Sequence, residues 1–319
     1  MIDTSRDSLI PISLATLSVD TALGIDIYLR SSVRDRPVLF CGGDDIPDRK
    51  RFARLCEDGD VRLFIDRNER PKYQAYLCEN IDTLLENESS MSPLEQLSVL
   101  SEVMRDVLDE QFSKRDTGQI VTISQKLGEC TSRVLSNQPP LTKQLCSVLH
   151  HDYATFTHST NVSLYCSVLA KALGFSEQDI SEVAAGGLLH DVGKLQIDPR
   201  ILTKPDRLDE FEYREIQKHP TIGFCELRER EDVTLAQLMM VYQHHERCDG
   251  SGYPVGITAE EIHPYSKVCS IVDVYEALTS HRPYRHPMTV STALSVLERG
   301  GEREFDPEML RCWRQLVTE

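Results

Sequence analysis

Apolar residues recur at two different spacings along this chain, and the spacing changes after about residue 90. Before that point, short runs rich in β-branched and aromatic residues lie between turn-forming residues, which is typical of strands. The predicted strands are residues 24–30 (GIDIYLR), 36–42 (RPVLFCG) and 61–66 (VRLFID). Helix start and stop residues bound two further segments, residues 48–59 and 71–87. This part is therefore predicted to be a small N-terminal α/β domain.

Two later segments carry apolar residues three or four positions apart, as on one face of a helix. The two sets are Leu97, Leu100, Met104 and Val107, and Ile120, Ile123, Leu127, Cys130 and Val134. Each set covers about two heptads, whereas a coiled coil needs roughly three or four. Two core helices are therefore favoured, with a dimerising stalk as the alternative.

From residue 141 to the C-terminus the apolar spacing is helical, and loops are marked by Gly and Pro. The chain is thus predicted to be of the α+β class, with an all-α C-terminal part. Pro139 and Pro140 cannot continue a helix and mark a boundary. The predicted division is a regulatory or dimerisation domain at 1–90, a helical linker at 91–140 and a third domain at 141–319.

Composition and charge narrow the range of partners. The chain has 319 residues, of which 40% are hydrophobic and 27% charged, and its net charge is −16. This charge argues against binding to a nucleic-acid polymer or an anionic membrane. No apolar run approaches the roughly 20 residues of a membrane span, and we expect no signal peptide. The ten scattered cysteines form no CxxC pair, which predicts reduced thiols and a cytoplasmic location.

All ten histidines lie between His150 and His286, and several of them are candidate metal ligands. Together with two aspartates, the candidate ligands are His158, His190, Asp191, His219, His244, His245 and Asp273. Imidazole and carboxylate donors suit iron, manganese, zinc or nickel. Seven ligands exceed the needs of one tetrahedral ion, so the sequence predicts two ions that share a ligand.

Adjacent ligands are expected at two helix ends. A helix that begins at Ser176 is predicted to end near Gly193 in a left-handed cap, which leaves His190 and Asp191 at its C-terminal end. His244 and His245 precede a loop, residues 249–252, whose glycines permit positive φ and close approach to a ligand.

Several of these residues have a plainer interpretation when taken singly. His158 and His219 fit buried histidines of a helical core, and Asp273 fits a salt bridge to an arginine. The presence of the other candidate ligands in the chain favours metal binding for each of the three residues. Cationic and hydroxyl side chains nearby, Lys194, Tyr253, Arg282 and Arg285, suit phosphate oxygens. A metal ion lowers the pKa of coordinated water from 15.7 to about 7 and so supplies hydroxide at neutral pH. With phosphate-binding side chains nearby, the predicted chemistry is phosphodiester or phosphomonoester hydrolysis.

Four motifs in this order are similar to those of the HD-GYP family, a branch of the HD phosphohydrolase superfamily. They are HDVGK (190–194), KHPTIG (218–223), HHERCDGSGYP (244–254) and DVYEALTSHRPYR (273–285). The resemblance covers residues 141–319 and implies an HD-type catalytic domain with a dinuclear metal site. It further implies a metal-dependent phosphodiesterase that cleaves cyclic di-GMP to pGpG, and in some members on to GMP. Family members hold two or three metals, often iron or manganese.

The resemblance also assigns roles to individual residues. One ion is implied at His158, His190, Asp191 and Asp273, and a second at Asp191, His219, His244 and His245. Asp191 would be the bridge, and Lys194 would contact the scissile phosphate. The implied substrate-binding residues are Lys194, Gly252, Tyr253, Arg282 and Arg285.

Two positions depart from the family pattern. Some members have a glutamate that helps to bind a third metal where this chain has Ala154. We therefore expect two metals and expect pGpG rather than GMP as the main product. Glu276 replaces the aspartate found in many relatives, a conservative change that is given little weight.

Other functions stay open at this stage. The main alternative is a cyclic-dinucleotide receptor or protein-interaction adaptor that keeps the fold and turns over little. A hybrid cyclic dinucleotide is a further candidate substrate, because the motifs describe the metal site and not the base pockets. A homodimer and a diguanylate cyclase or other signalling partner are left open, and a receiver-type N-terminal domain is disfavoured because no acidic pair accompanies Asp44 and Asp45.

Overall fold

The N-terminal strands form one antiparallel sheet. The computed structural model describes residues 9–12, 16–17, 22–30, 36–48, 50–51, 62–86, 93–136, 149, 155–281 and 285–318. The strands are β1 (Leu9–Ile12), β2 (Ile27–Arg30), β3 (Val38–Cys41) and β4 (Arg62–Asp66), in the order β1-β4-β2-β3. The three predicted strands are confirmed. β1 was not predicted because Pro11 interrupts a short apolar run, and proline is tolerated there since β1 lies at the sheet edge.

All pairings between these strands are antiparallel. A receiver domain has instead the parallel sheet of the doubly wound folds. The described sheet therefore agrees with the expectation that this domain is not a receiver.

Three long helices follow the sheet. They are α1 (Arg70–Glu86), α2 (Pro93–Lys114) and α3 (Thr117–Ser136), and α1 confirms the helix predicted at 71–87. Of the helix predicted at 48–59, residues 49 and 52–59 lie outside the described residues. The chain divides into two compact units, residues 1–110 and 111–319, so the division falls inside α2. The domain limits predicted at 90 and 140 stay predictions.

The apolar faces of α2 and α3 are covered within the single chain. All the residues of the two predicted sets are buried except Ile123, which is half-buried. A dimerising stalk needs such a seam to face a second chain, so their burial favours the interpretation as core helices.

The second unit is helical, as predicted. Its further helices are α4 (Thr155–Ala172), α5 (Glu177–Leu189), α6 (Pro199–Leu202), α7 (Glu210–Ile216), α8 (His219–Leu227), α9 (Leu235–Gln243), α10 (Pro264–Thr279), α11 (Val290–Glu304) and α12 (Pro307–Thr318). A 3-10 helix, Val192–Gln196, follows α5. None of the described helices combines the length and the apolarity that crossing a bilayer requires.

Small residues let α5 approach its two neighbours closely. A Cβ at Gly187 would lie 2.6 Å from the Cα of Ser163 on α4, and one at Gly128 on α3 would lie 2.5 Å from the Ser181 carbonyl oxygen. Hydrogen-bonded Ser176 and Asp179 form the capping box that begins α5, as the sequence predicts for Ser176. Close packing of α5 against α3 and α4 therefore fixes the position of the end of α5.

Gly193 does not end α5 in the predicted manner. The helix ends at Leu189, and Gly193 lies inside the 3-10 helix without a positive φ, so the predicted left-handed cap is wrong. A Cβ at this position would lie 2.0 Å from the carbonyl oxygen of His219 and 2.6 Å from the nitrogen of Gly223. Glycine is needed here because α8 packs directly against the backbone of the 3-10 helix.

An aromatic cluster holds α4, α10 and α12 together. Tyr165, Tyr275 and Trp313 are all buried, and their ring centroids lie 5.0–5.9 Å apart in edge-to-face geometry. Such pairs contribute about 0.5–1.5 kcal/mol each beyond the burial of their area. The cluster therefore fixes α10 against α4, the two helices that carry Asp273 and His158.

We expect Gly128→Ala to destabilise the second unit by about 1–3 kcal/mol, because the new methyl group overpacks the contact with Ser181 and Ala185. Gly118→Ala on the same helix is the matched control, since a Cβ there meets only flexible side-chain ends. The control should be neutral or up to about 1 kcal/mol more stable. Urea unfolding followed by fluorescence of the single tryptophan, Trp313, measures both. Equal stability of the two variants would contradict the proposed helix contact.

Candidate metal centre

The structure brings the seven predicted ligands together in two adjoining groups. The first group is Asp191, His219, His244 and His245, and the second is His158, His190 and Asp273; within each group the donor atoms all lie within 4.8 Å of one another. Six of the seven side chains are buried and His245 is half-buried. Residues from five separate parts of the second unit thus converge on one region.

Three of the histidines lie within three residues of the end of a helix and use its last turn in the same way. His190 follows α5, His219 follows α7 within three residues, and His244 follows α9. Each ring directs Nδ1 at the carbonyl oxygen of the residue three positions earlier, at 2.8, 2.8 and 2.9 Å respectively. These carbonyl oxygens lack helical partners, so each ring donates a hydrogen bond from Nδ1. Their Nε2 atoms therefore carry lone pairs, as metal-binding imidazoles require.

These lone pairs are directed at one another. Nε2 of His219 lies 3.2 Å from Nε2 of His244 and 3.2 Å from Oδ1 of Asp191. In the tautomer that binds a metal through Nε2, the proton of His219 is on Nδ1 and is donated to Ile216, so Nε2 has no proton for either atom. Nε2 of His190 and Oδ1 of Asp191 are likewise buried without a hydrogen-bond donor. Buried acceptors this close repel one another unless a cation lies between them, so the residues present fit a metal.

Asp191 connects the two groups through its two carboxylate oxygens. Oδ1 faces His219, whereas Oδ2 lies 3.5 Å from Nε2 of His190, 3.6 Å from Nε2 of His158 and 2.5 Å from Nζ of Lys194. One oxygen on each side is the geometry of a bridging carboxylate. The arrangement therefore suits two cations that share Asp191, and the mixed imidazole and carboxylate donors suit iron, manganese, zinc or nickel.

Glu276 belongs to this site, although no role was predicted for it from the sequence. Its buried carboxylate lies 2.5 Å from Nδ1 of His158 and accepts hydrogen bonds from Asn161 at 3.0 Å and Ser280 at 2.5 Å. This contact turns Nε2 of His158 towards Asp273, 3.0 Å away. Its position three residues after Asp273, on the same face of an apolar helix, was the signal that could have identified it.

Burial and neighbouring charges set the protonation of the cluster. Burial lowers the pKa of His245 to about 3, the pKa of His244 well below its usual range, and that of His190 in the same direction. Burial would also lower the pKa of His158, but the carboxylates of Glu276 and Asp273 outweigh it and raise that pKa to about 9. Three of these imidazoles are therefore neutral and ready to bind a cation.

The two aspartates stay ionised for a related reason. Burial would raise the pKa of Asp191, but Lys194 and the surrounding histidines hold it well below its usual range. Burial would raise the pKa of Asp273 too, and the hydrogen bond and charge of His158 lower it instead. Both carboxylates are thus in the form that binds a cation.

The predicted substrate-binding residues have different surroundings. Lys194 is partly exposed beside Asp191, and the Tyr253 ring stacks on His245 with centroids 4.7 Å apart. Gly250 has the predicted positive φ of 77°, whereas Gly252 is needed for close approach, since a Cβ there would lie 2.4 Å from the Cα of Glu246. Arg285 donates a hydrogen bond to the Ala277 carbonyl at the end of α10, so its predicted contact with substrate stays a prediction.

Arg282, predicted to bind substrate, and Ala154, expected to exclude a third metal, lie outside the described residues.

Comparison with known proteins links this site to a family. The family model described as "HD domain" matches residues 129–309. A Vibrio cholerae protein named 3′3′-cGAMP-specific phosphodiesterase 3 is 34% identical over 165 residues, which cover 51% of this chain and 35% of that one. The cyclic di-GMP phosphodiesterase response regulator RpfG of Xanthomonas campestris is 28% identical over 276 residues, which cover 85% of this chain and 71% of that one.

The fold has a relative among solved structures. Bd1817, an HDG"Y"P protein from Bdellovibrio bacteriovorus, superposes with a TM-score of 0.67 at 17% sequence identity, covering 98% of this chain and 100% of that one. At this identity the likeness concerns the fold, and it confirms the predicted α+β class. The chain spans about a third of the length of the Vibrio relative.

We expect the metal-free protein to lose stability as the pH falls from 7.5 to 5.5. Unfolded imidazoles have a pKa of about 6.5 and take up protons in this range, whereas His244 and His245 in the fold do not. Each contributes a slope of up to about 1.4 kcal/mol per pH unit to the free energy of unfolding. His158 acts in the opposite sense, since its stabilisation is complete below pH 6.5 and is lost as the pH rises through about 9.

Urea unfolding of the chelator-treated protein at several pH values, followed by Trp313 fluorescence, measures this slope. His245→Gln should reduce the slope by up to about 1.4 kcal/mol per pH unit, the contribution of one proton. An unchanged slope in that variant would show that His245 takes up its proton over the same pH range in the folded and unfolded states.

We expect Glu276→Ala to weaken metal binding by about 10- to 100-fold, because His158 loses the acceptor that orients its ring. Glu276→Gln should weaken it less, since the amide oxygen still accepts a hydrogen bond from Nδ1. Competition with a chelator, followed by metal analysis of the protein, measures both affinities. Equal losses in the two variants would indicate that the charge of Glu276 matters, and not its acceptor.

Proposed function

This chain belongs to the HD domain family and carries the motif set of its HD-GYP branch, and on that premise we propose that it is a metal-dependent phosphodiesterase acting on cyclic di-GMP. The observation that carries the proposal is Asp191, whose two carboxylate oxygens face two adjoining groups of buried, metal-competent donors. A purely structural histidine cluster would pair its lone pairs with donors. In this site the Nε2 lone pairs of His219 and His244 point at one another instead.

Two divalent ions in such a site supply Lewis acidity and lower the pKa of coordinated water from 15.7 to about 7. We propose iron or manganese as these ions, both compatible with the donor set. The ligand roles are those predicted from the sequence, with Asp191 shared between the two groups.

Lys194 and Tyr253 are proposed to act on the substrate directly. The Lys194 ammonium lies at the partly exposed edge of the cluster, 2.5 Å from Asp191, where it can also donate to a non-bridging phosphate oxygen. Tyr253 lies flat on His245, so a substrate phosphate near that ligand is within reach of the tyrosine. Gly252 permits this placement, because a side chain there would collide with Glu246. Arg282 and Arg285 are proposed to add phosphate contacts.

Cyclic di-GMP is the proposed substrate and pGpG the proposed first product, with cleavage to GMP as a further step. A relative at 34% identity is named a 3′3′-cGAMP-specific phosphodiesterase, so the hybrid dinucleotide is the second candidate. The receptor alternative is less favoured because the ligands, Lys194 and the glycine-rich loop are all in place. A cytoplasmic location, a homodimer and a diguanylate cyclase partner stay predictions.

Anaerobic purification with metal analysis, followed by incubation with cyclic di-GMP or 3′3′-cGAMP and chromatography of the products, tests the proposal. We expect about two metals per chain and release of pGpG. Asp191→Asn should reduce turnover by more than the roughly 100-fold that loss of a residue supporting a ligand causes. Asp198→Asn is the matched control, because asparagine keeps the helix cap that Asp198 provides to α6. A fully metallated protein that binds but cleaves neither dinucleotide would establish the receptor alternative.

A further inference from the structure

The loop that carries Tyr253 folds back onto the residues directly after the paired histidines. The backbone N–H of Tyr253 donates to the carbonyl oxygen of His245 at 3.2 Å. Gly252 lies against Glu246 and Arg247, since a Cβ on it would come within 2.4 Å of Glu246 Cα and Arg247 N. The loop thus touches the backbone of a candidate ligand.

Glu246 anchors the far side of this loop. Its side chain is 3% exposed, and Oε1 accepts a hydrogen bond from the N–H of Val255 at 2.7 Å. The N–H of Gly256 lies 3.1 Å from Oε1 and 3.0 Å from Oε2. Pro254 has no N–H, so these are the first two backbone donors after Tyr253. Among the described residues no cationic side chain forms an ion pair with Glu246.

A buried carboxylate is costly unless its charge is paired or satisfied by hydrogen bonds. Glu246 is satisfied by the loop itself, through charge-assisted bonds of the stronger kind. The loop and the carboxylate therefore stabilise each other. The chain is therefore anchored on both sides of the Tyr253 ring. The backbone N–H of Tyr253 is bonded to His245, and the backbone N–H groups of Val255 and Gly256 are bonded to Glu246.

We propose that Glu246 is the positioning residue for Tyr253, and that its carboxylate holds the loop so that the tyrosine ring stays stacked on His245. The inference rests on the proposed function in one respect, namely that Tyr253 contacts the substrate. Among the described residues, the Glu246 carboxylate forms its hydrogen bonds with Val255 and Gly256 and none with a donor atom of the candidate ligands.

The first half of the loop has anchors of its own. The N–H of Cys248 donates to the Glu304 carbonyl at 3.3 Å, and that of Asp249 donates to the Arg303 carbonyl at 2.8 Å, both on α11. Loss of the Glu246 side chain therefore removes the hydrogen bonds of Val255 and Gly256 and leaves residues 248–249 in place. We expect the variant to fold and to keep its metals.

The experiment compares Glu246→Ala, Glu246→Gln and the matched control Glu261→Ala in the full-length, metal-loaded protein. Glu261 also accepts a backbone hydrogen bond, from Thr258 at 3.1 Å, but does not touch residues 253–256. For cyclic di-GMP we expect Glu246→Ala to lower kcat/KM about tenfold or more, Glu246→Gln to restore most of it because an acceptor oxygen remains, and the control to stay within about twofold. Metal content should be equal in all three.

A double-mutant cycle separates positioning of Tyr253 from a general effect on the fold. If Glu246 acts through Tyr253, Glu246→Ala should have no further effect on kcat/KM in a Tyr253→Ala background. Independent, multiplicative losses or a loss of metal from Glu246→Ala would overturn the inference.

A measurement without substrate keeps the inference separate from the proposed function. Fluorotyrosine labelling of the eleven tyrosines, with the Tyr253 signal assigned by Tyr253→Phe, reports the ring's surroundings by ¹⁹F NMR. We expect the Tyr253 signal to shift in Glu246→Ala and to stay in place in Glu246→Gln and Glu261→Ala. An unmoved signal in Glu246→Ala overturns the positioning role, whereas an absence of turnover in the wild type overturns only the proposed activity.

Discussion

Mutual repulsion among buried acceptor atoms is the constraint on which this structure depends. His219 and His244 present Nε2 lone pairs to each other at 3.2 Å, and both lie beside the ionised carboxylate of Asp191. Nothing in such an arrangement is favourable without a positive charge at its centre. The fold must hold these groups together before a cation can repay the cost, and the rest of the second unit supplies that support.

The support comes from helix ends and from close backbone contacts. Each of three histidines uses an otherwise unpaired carbonyl of the preceding helical turn, so helix termination and ligand orientation are achieved by the same hydrogen bond. Gly187 and Gly193 let α4 and α8 approach the segment that carries His190 and Asp191. Because the ligands are attached to rigid elements in contact, their spacing is set by backbone packing rather than by flexible side chains.

Further carboxylates support the site without belonging to either group of donors. Glu276 orients His158 from α10, and Glu246 secures the loop beyond His245. In both cases a buried acidic side chain accepts hydrogen bonds from its surroundings and directs a neighbour towards the centre. Carboxylates that do not bind the metal themselves thus orient the residues around the centre and also stabilise the surrounding loops.

Much of this protein was determined by local sequence. Helical spacing, capping residues and turn residues predicted that the second unit is helical and predicted three of the four strands. These features depend on neighbours within a few positions, which a single sequence displays directly. The seven donors that the structure brings together were identified from residue types and from motifs spread over residues 158–273.

Other features were decided only by the tertiary structure. The contact between His158 and Glu276 joins residues 118 positions apart, and the need for Gly193 arises from α8 rather than from its own φ. Which imidazole nitrogen faces the centre, and which carboxylate holds the Tyr253 loop, follow from how separate helices pack. Spacing along the chain carries no record of such long-range partners, because many packings are compatible with the same local pattern.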